Sequence, residues 1–187
     1  MTRTIRLRRW QKAALDAYAE ADASDFLAVA TPGAGKTTFA LAVARLALTD
    51  GARRLIVVAP TAHLKQQWAG AAHDVGLHLD PAWTPSDGLG ADLHGIVTTY
   101  QQVATAAPAL AALAGDAIVV LDEIHHAADE RAWGDSVRVA FGGAARRLAL
   151  SGTPFRSDTA PIPFIDYVLD QARPDFTYGY GEALRDG

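Results

Sequence analysis

The sequence predicts an α/β domain: a parallel β-sheet with helices on both faces. Three observations carry this. Short β-rich runs alternate with Ala- and Leu-rich helical runs of about 10–15 residues, the pattern of repeated βαβ units. The strand runs are continuously apolar, as Arg54-Leu-Ile-Val-Val-Ala-Pro60 illustrates, which suits strands buried on both faces. A glycine-rich turn, Thr31-Pro32-Gly33-Ala34-Gly35, joins the first strand to the first long helix.

Taken in order, Trp10, Ala14 and Tyr18 share one face of an amphipathic helix near the N-terminus. Residues 25–30 form a short apolar strand that ends at the Thr-Pro-Gly turn. Helical sequence runs from Lys36 to about Leu48 and stops near Asp50-Gly51. A strand at 54–60 is followed by a helix over 62–73. The stretch 76–90 carries Pro81, Pro85, Gly88 and Gly90 and reads mainly as loop, with room for one short strand. Residues 95–99 form a strand, and 100–113 a helix expected to break or kink near Pro108. Residues 117–121 are a strand, 128–141 a helix and 147–150 a strand. From Pro154 the texture turns Pro-rich and irregular; Phe176-Thr177-Tyr178 offers a further strand, and Glu182-Ala183-Leu184 looks like a helix beginning.

Composition narrows the function classes. The chain has 187 residues, a formal net charge of −4, no cysteine and 50% hydrophobic residues, 39 of them alanines that supply little burial energy each. A chain of this length makes one domain with an adequate core. Zero cysteines exclude a disulfide scaffold, a Cys-based zinc finger and a thiol nucleophile. The acidic total argues against a general nucleic-acid coat protein but leaves room for a local contact surface. No apolar run reaches the ~18 residues of a membrane span, so no membrane partner is expected. The basic segment from Met1 to Lys12 lacks the apolar stretch of a signal peptide, and the default compartment is the cytoplasm.

Ala30-Thr31-Pro32-Gly33-Ala34-Gly35-Lys36-Thr37 has the strand-loop-helix context of a phosphate-binding loop. Glycines let backbone N–H groups approach phosphate oxygens, and the helix that follows presents its positive end to the anion. Lys36 is placed to reach the β- and γ-phosphates and Thr37 to offer its hydroxyl to Mg²⁺; Thr38 completes the binding run. The pattern's first glycine is Ala30 here, which an extended backbone tolerates.

Asp122-Glu123-Ile124-His125 follows the strand 117–121. In open parallel sheets, ligands sit outside the carboxyl ends of strands, the edge that also carries the phosphate loop. Asp122 is therefore placed to hold the Mg²⁺ shell, and Glu123 to polarise an attacking water. An isolated Asp-Glu merely solvates a strand end; its pairing with the phosphate loop gives it chemical meaning. His63, His73, His78 and His94 are scattered, and neither they nor His125-His126 show the spacing of a zinc site.

Together the phosphate loop, Asp122-Glu123-Ile124-His125 and Ser151-Gly152-Thr153-Pro154 resemble motifs I, II and III of superfamily 2 helicases of the DExH kind. Their order matches the first of the two RecA-like domains in those enzymes, with the restriction-subunit and XPB-like group the nearest in flavour. Leu7-Arg8-Arg9-Trp10-Gln11 resembles the upstream glutamine motif, by which Gln11 would select ATP through the adenine edge. Ala59-Pro60-Thr61 resembles motif Ia, and Val97-Thr98-Thr99-Tyr100 motif Ib, both of which touch the nucleic-acid backbone in the family. The resemblance further implies that His125, Ser151 and Thr153 couple the nucleotide state to nucleic-acid grip. Read without it, Ser151 to Pro154 is a turn after a strand, Gln11 is a solvated helix residue, and Thr61, Thr98 and Thr99 are helix caps.

The resemblance implies a RecA-like phosphate-loop NTPase domain using ATP and Mg²⁺, with nucleic acid, DNA rather than RNA, as partner. It divides the chain into a glutamine-motif helix region (1–24) packed on the core, the ATP-binding domain (25–156) and an extension (157–187) leading toward a second RecA-like domain. The family's arginine fingers lie in that second domain, and Arg156 does not stand where the family places one. The expectation is half of a motor, slow or inactive by itself. A reading from another class remains open: a nucleotide-gated module whose ATP state controls a protein partner, or an RNA helicase lobe that does not separate strands. Both share Lys36, Thr37 and Asp122, so only nucleic-acid dependence separates them.

Overall fold

The computed structural model describes residues 4–21, 23–128, 131–153, 155 and 161–186. Pro154 of the third motif and Arg156 lie outside these residues. In chain order the elements are α1 (Arg9–Glu20), β1 (Asp25–Ala30), α2 (Lys36–Thr49), β2 (Arg54–Ala59), α3 (Ala62–Asp74), β3 (Leu79–Asp80), β4 (Gly95–Thr99), α4 (Tyr100–Ala114) and β5 (Ala117–Leu121). A 3₁₀ turn (Ile124–Ala128) follows, then α5 (Arg131–Phe141), β6 (Arg146–Ser151), β7 (Tyr167–Val168), β8 (Gln171–Ala172), β9 (Phe176–Tyr178) and α6 (Tyr180–Asp186).

Seven strands form one all-parallel sheet in the order β3-β4-β2-β5-β6-β1-β9. The continuous apolar runs now have a reason. Along β1, Phe26, Ala28 and Ala30 face the core under α1, α2 and α3, while Leu27 and Val29 face the core under α4 and α5. Strand β2 divides the same way, Leu55, Val57 and Ala59 to one side and Ile56 and Val58 to the other. Side chains alternate with period two, so a strand sandwiched between two helical layers is apolar at every position. The predicted α/β class is the observed one.

Parallel strands end on one edge, and the sheet order decides which ends are neighbours. β6 lies directly against β1, and β5 against β6. The loops after β1, β5 and β6 therefore converge, although the residues they carry are far apart in sequence.

Two expectations change. Helix α4 runs unbroken through Pro108, which sits on its solvent side. Water can satisfy the carbonyl that Pro108 leaves unpaired, while buried Ala106, Ala107, Leu110 and Ala114 hold both halves of the helix in place. Of the helix expected over 128–141, Ala128 ends the 3₁₀ turn and α5 begins at Arg131. Within the expected extension, β9 pairs with β1, Ala28 opposite Phe176 and Ala30 opposite Tyr178. Within that segment the β7–β8 hairpin turns through Leu169 and Asp170, both with positive φ. A Leu-Asp pair carries no glycine or asparagine signal for such a turn, so the sequence conceals it. Among the described residues, no helix is long and apolar enough to cross a membrane.

Candidate nucleotide site at the strand edge

The loop after β1 takes its shape from two left-handed glycines, Gly33 (φ 76°) and Gly35 (φ 94°). Ala34 N–H closes the turn on Thr31 O at 3.1 Å. Gly35 is the residue before α2, so the loop's amides and the helix N-terminus face the same space. Thr37 and Thr38 open the helix half-buried.

The loop is clamped from outside by α1. Gln11, 2% exposed, donates Nε2–H to Gly35 O at 2.9 Å, and its Oε1 accepts from Arg8 N–H at 2.7 Å. Trp10 Nε1–H donates to Ala34 O at 3.2 Å, and the Arg8 guanidinium reaches the same oxygen at 3.3 Å. Trp10 is itself stacked on Tyr178 of β9, their ring centroids 5.1 Å apart. The Leu-Arg-Arg-Trp-Gln run is thus a backbone anchor for the phosphate loop, and Arg8 and Trp10 are functional candidates that the resemblance left without a role. Cavities of about 600 Å³, lined by Arg8, Thr31, Gly33 and Tyr178, and about 540 Å³, lined by Arg6, Thr38 and Asp74, adjoin the loop and α2.

Inside the cleft, Lys36 Nζ donates to Ala30 O at 3.2 Å and pairs with Glu123 Oε1 at 3.1 Å. The other oxygen, Glu123 Oε2, accepts from Gly152 N–H at 2.8 Å. Glu123 has φ 46°, a left-handed conformation for a residue with a side chain, and these contacts on its carboxylate accompany that strain. His125 Nδ1 lies 3.6 Å from Glu123 Oε2 and 3.3 Å from Ser151 Oγ; Ser151 in turn donates to Thr153 O at 2.8 Å. Lys36, Glu123, His125, Ser151, Gly152 and Thr153 are therefore one connected polar group, built from three loops.

Asp122 is anchored separately. Its N–H donates to Val58 O at 2.9 Å, its carbonyl accepts from Tyr100 Oη at 2.9 Å, and its Oδ2 accepts from Trp68 Nε1–H at 2.9 Å. Burial pushes its carboxyl above the usual carboxylate range; the Trp68 bond opposes the rise, Glu123 adds to it and Lys36 opposes it. Asp122 with the Thr37 hydroxyl is a hard-oxygen donor set, and Mg²⁺ commonly takes one or two carboxylates and completes its shell with phosphate and water. The donors present fit that ion.

At the expected nucleic-acid edge the candidates separate. Thr61 is exposed at the start of α3 and makes no side-chain cap bond. Pro60 before it is half-buried. Thr99 caps α4, its Oγ accepting from Gln102 N–H at 3.2 Å. Thr98 and Tyr100 are fully buried; Thr98 Oγ donates to Gln102 Oε1 at 3.4 Å, and Tyr100 reaches inward to Asp122. Lys65, 8% exposed, also holds Gln102 Oε1, at 2.8 Å, and burial lowers its pKa. Trp68 was invisible to sequence reasoning, because a lone tryptophan in a helix gives no sign that it meets a carboxylate 54 residues away.

Comparison with known proteins identifies a family and a fold. The family described as Type III restriction enzyme, res subunit, matches residues 4–156. An uncharacterized protein of Mycobacterium tuberculosis (strain ATCC 25618 / H37Rv) is 50% identical over 97% of the chain, and one of Mycobacterium leprae (strain TN) is 48% identical over the same share. The chain spans 32% of the length of each of these relatives. Among solved structures, the UvsW helicase of bacteriophage T4 superposes with a TM-score of 0.63 at 19% identity, covering 78% of this chain and 52% of that one. The Hef helicase domain of Pyrococcus furiosus gives 0.65 at 25% identity, covering 81% and 34%. The Type ISP restriction-modification enzyme LlaGI, solved with a DNA substrate mimic, gives 0.71 at 18% identity, covering 96% and 18%.

Proposed function

Starting from a chain that belongs to the family of Type III restriction enzyme res subunits and has the fold of a first RecA-like helicase domain, we propose that it is the ATP-hydrolysing motor lobe of a nucleic-acid translocase. The observation that carries the reading is the Lys36–Glu123 pair beneath the glycine loop, beside Asp122. Lys36, freed from Ala30 O and Glu123, is positioned to bind the β- and γ-phosphates, with the loop amides and Thr38 holding the remaining phosphate oxygens. Thr37 and Asp122 would hold Mg²⁺, which would supply charge neutralisation at the phosphates. Release of Lys36 leaves the Glu123 carboxylate on Gly152 N–H, with one oxygen available to orient a water. Gln11 retains one amide hydrogen and one oxygen lone pair beyond its two bonds, the pair an adenine edge needs.

His125, Ser151 and Thr153 extend from Glu123 to the end of β6 and couple the nucleotide state to nucleic-acid grip. At that edge Thr61 and Thr99 are the contact residues, with Pro60 shaping the approach. DNA is the proposed partner, in keeping with the DNA substrate mimic of LlaGI and the dsDNA of the Sulfolobus solfataricus SWI2/SNF2 ATPase core. A second RecA-like domain in the full-length protein completes the site, as the greater length of the mycobacterial relatives allows. An arginine finger supplied there is worth about 10³–10⁵ in rate, so the 187-residue chain hydrolyses ATP slowly.

Steady-state ATPase assays test this. The full-length protein is expected to show turnover stimulated by DNA and lost in Lys36→Ala, and the 187-residue chain to bind nucleotide with little turnover. Nucleic-acid-independent turnover in the full-length protein, or ordinary helicase rates in the isolated chain, overturns it.

A further inference from the structure

Two side chains that the phosphate chemistry does not use converge on Asp122 from different helices. Trp68 of α3, 3% exposed, donates its indole N–H to Oδ2, and Tyr100 of α4, fully buried, donates its hydroxyl to the backbone carbonyl. With Asp122 N–H on Val58 O, the main chain is held at both polar groups, and the terminal torsion of the carboxylate is left to Trp68. That torsion is intrinsically broad, so a single donor decides where the oxygens point. An indole N–H only donates and the buried ring cannot turn away without leaving its core, so the bond is directional.

The position of Trp68 adds a second property. It lies two turns into α3, about 10 Å along the axis from Thr61, the exposed residue at the helix start. A helix carries a small displacement along its length as a rigid element. We propose that Trp68 is a positioning residue that orients the Asp122 carboxylate for Mg²⁺, and that α3 transmits contact at Thr61 to the metal site through this bond. The proposal rests on the reading of Asp122 as the metal ligand.

Trp68→Phe keeps a ring in the core and removes the donor. In the full-length protein, the Mg²⁺ concentration needed for binding fluorescent ADP is expected to rise on the order of 10–100-fold, the usual effect of removing an outer-shell partner. Binding of ADP without Mg²⁺ is expected to stay unchanged, and single-stranded DNA is expected to shift the Mg²⁺ midpoint of the parent protein but not that of Trp68→Phe; a midpoint in the parent that DNA leaves unmoved overturns the transmission through α3. The indole N–H resonance of Trp68, identified by its loss in Trp68→Phe, is expected to move in Asp122→Ala and on adding Mg²⁺ with ADP. An unchanged midpoint in Trp68→Phe, or an indole resonance indifferent to Asp122→Ala, overturns the proposal; should Trp68→Phe fail to fold, the resonance in the parent and Asp122→Ala proteins decides. If Asp122→Ala abolishes Mg²⁺ dependence while Trp68→Phe does nothing, only this inference fails. If Asp122→Ala also leaves Mg²⁺ dependence intact, the metal-ligand reading fails with it.

Discussion

Lys36 Nζ sits 3.1 Å from Glu123 Oε1, so the cation expected to bind phosphate and the carboxylate expected to orient water neutralise each other. Both are partly shielded, at 12% and 26% side-chain exposure, so the pair is stronger than an open surface ion pair. It keeps the two charges compensated and makes release of Glu123 conditional on a competing anion.

Lys36→Ala removes the cation proposed to bind phosphate and takes the Lys36 ion pair from Glu123. The DNA-stimulated ATPase of the full-length protein is expected to fall on the order of 10²–10³-fold, the effect of deleting one preorganised charge donor. An ATPase titration at saturating DNA measures it, and activity near the parent level would remove Lys36 from the chemistry.

The loop glycines are expected to differ in cost. At Gly33 a Cβ meets no atom within 4 Å, so Gly33→Ala carries only the left-handed backbone cost, about 1–2 kcal/mol. At Gly35 the added Cβ stands 2.7 Å from Gln11 Nε2, so Gly35→Ala must also displace the α1 clamp. Denaturant unfolding of both variants is expected to rank Gly35→Ala as the more damaging.

Gln11→Ala loses a helix-capping contact and the bond to Gly35 O. A stability loss of about 1–2 kcal/mol is expected, the scale of a lost cap. Preference for ATP over GTP should fall in the same variant. Competition binding with both nucleotides checks this, and a preserved ratio restricts Gln11 to holding the loop.

Burial makes the Asp122 carboxylate a stability cost. Because burial raises its folded-state pKa above the ordinary carboxylate value, the folded protein holds the proton more tightly than the unfolded chain in the window between the two values. Stability therefore falls as pH rises through that window. Asp122→Asn is expected to raise stability above it by about 1 kcal/mol, roughly 2–4 °C in Tm, with the gain vanishing below it where the carboxyl is protonated in both states. Melting curves over an acidic-to-neutral pH series give the sign directly.

Thr61 and Thr99 look alike in sequence and differ in structure. Thr99→Ala removes the α4 cap and is expected to cost about 1 kcal/mol of stability. Thr61→Ala breaks no cap bond, so stability should be unchanged while single-stranded DNA binding weakens. A Thr61→Ala protein with parental affinity would place the contact elsewhere.

Much of this was legible because the relevant physics is local. Continuous apolar strands, the glycine loop before a helix and an acidic pair at a strand end each follow from the preferences of a few adjacent residues. The path of α4 through Pro108 was hidden, since proline's local penalty is outweighed by the burial of Ala106, Ala107 and Leu110 around it. The β7–β8 turn was hidden for the converse reason, a turn without turn residues.

By itself, then, the sequence determined the α/β class and which charged residues stand at the strand edge as a candidate site, because spacing along the chain sets which side chains leave which strand ends. Only the tertiary structure decided how those charges are held: Lys36 on Glu123, Glu123 on Gly152, Gln11 on Gly35, and Asp122 between Trp68 and Tyr100. It also separated exposed Thr61 from buried Thr98 and Tyr100. The reason is the sheet order, which sets β6 and β5 beside β1; contacts across strands and layers depend on that order, and no local spacing encodes it.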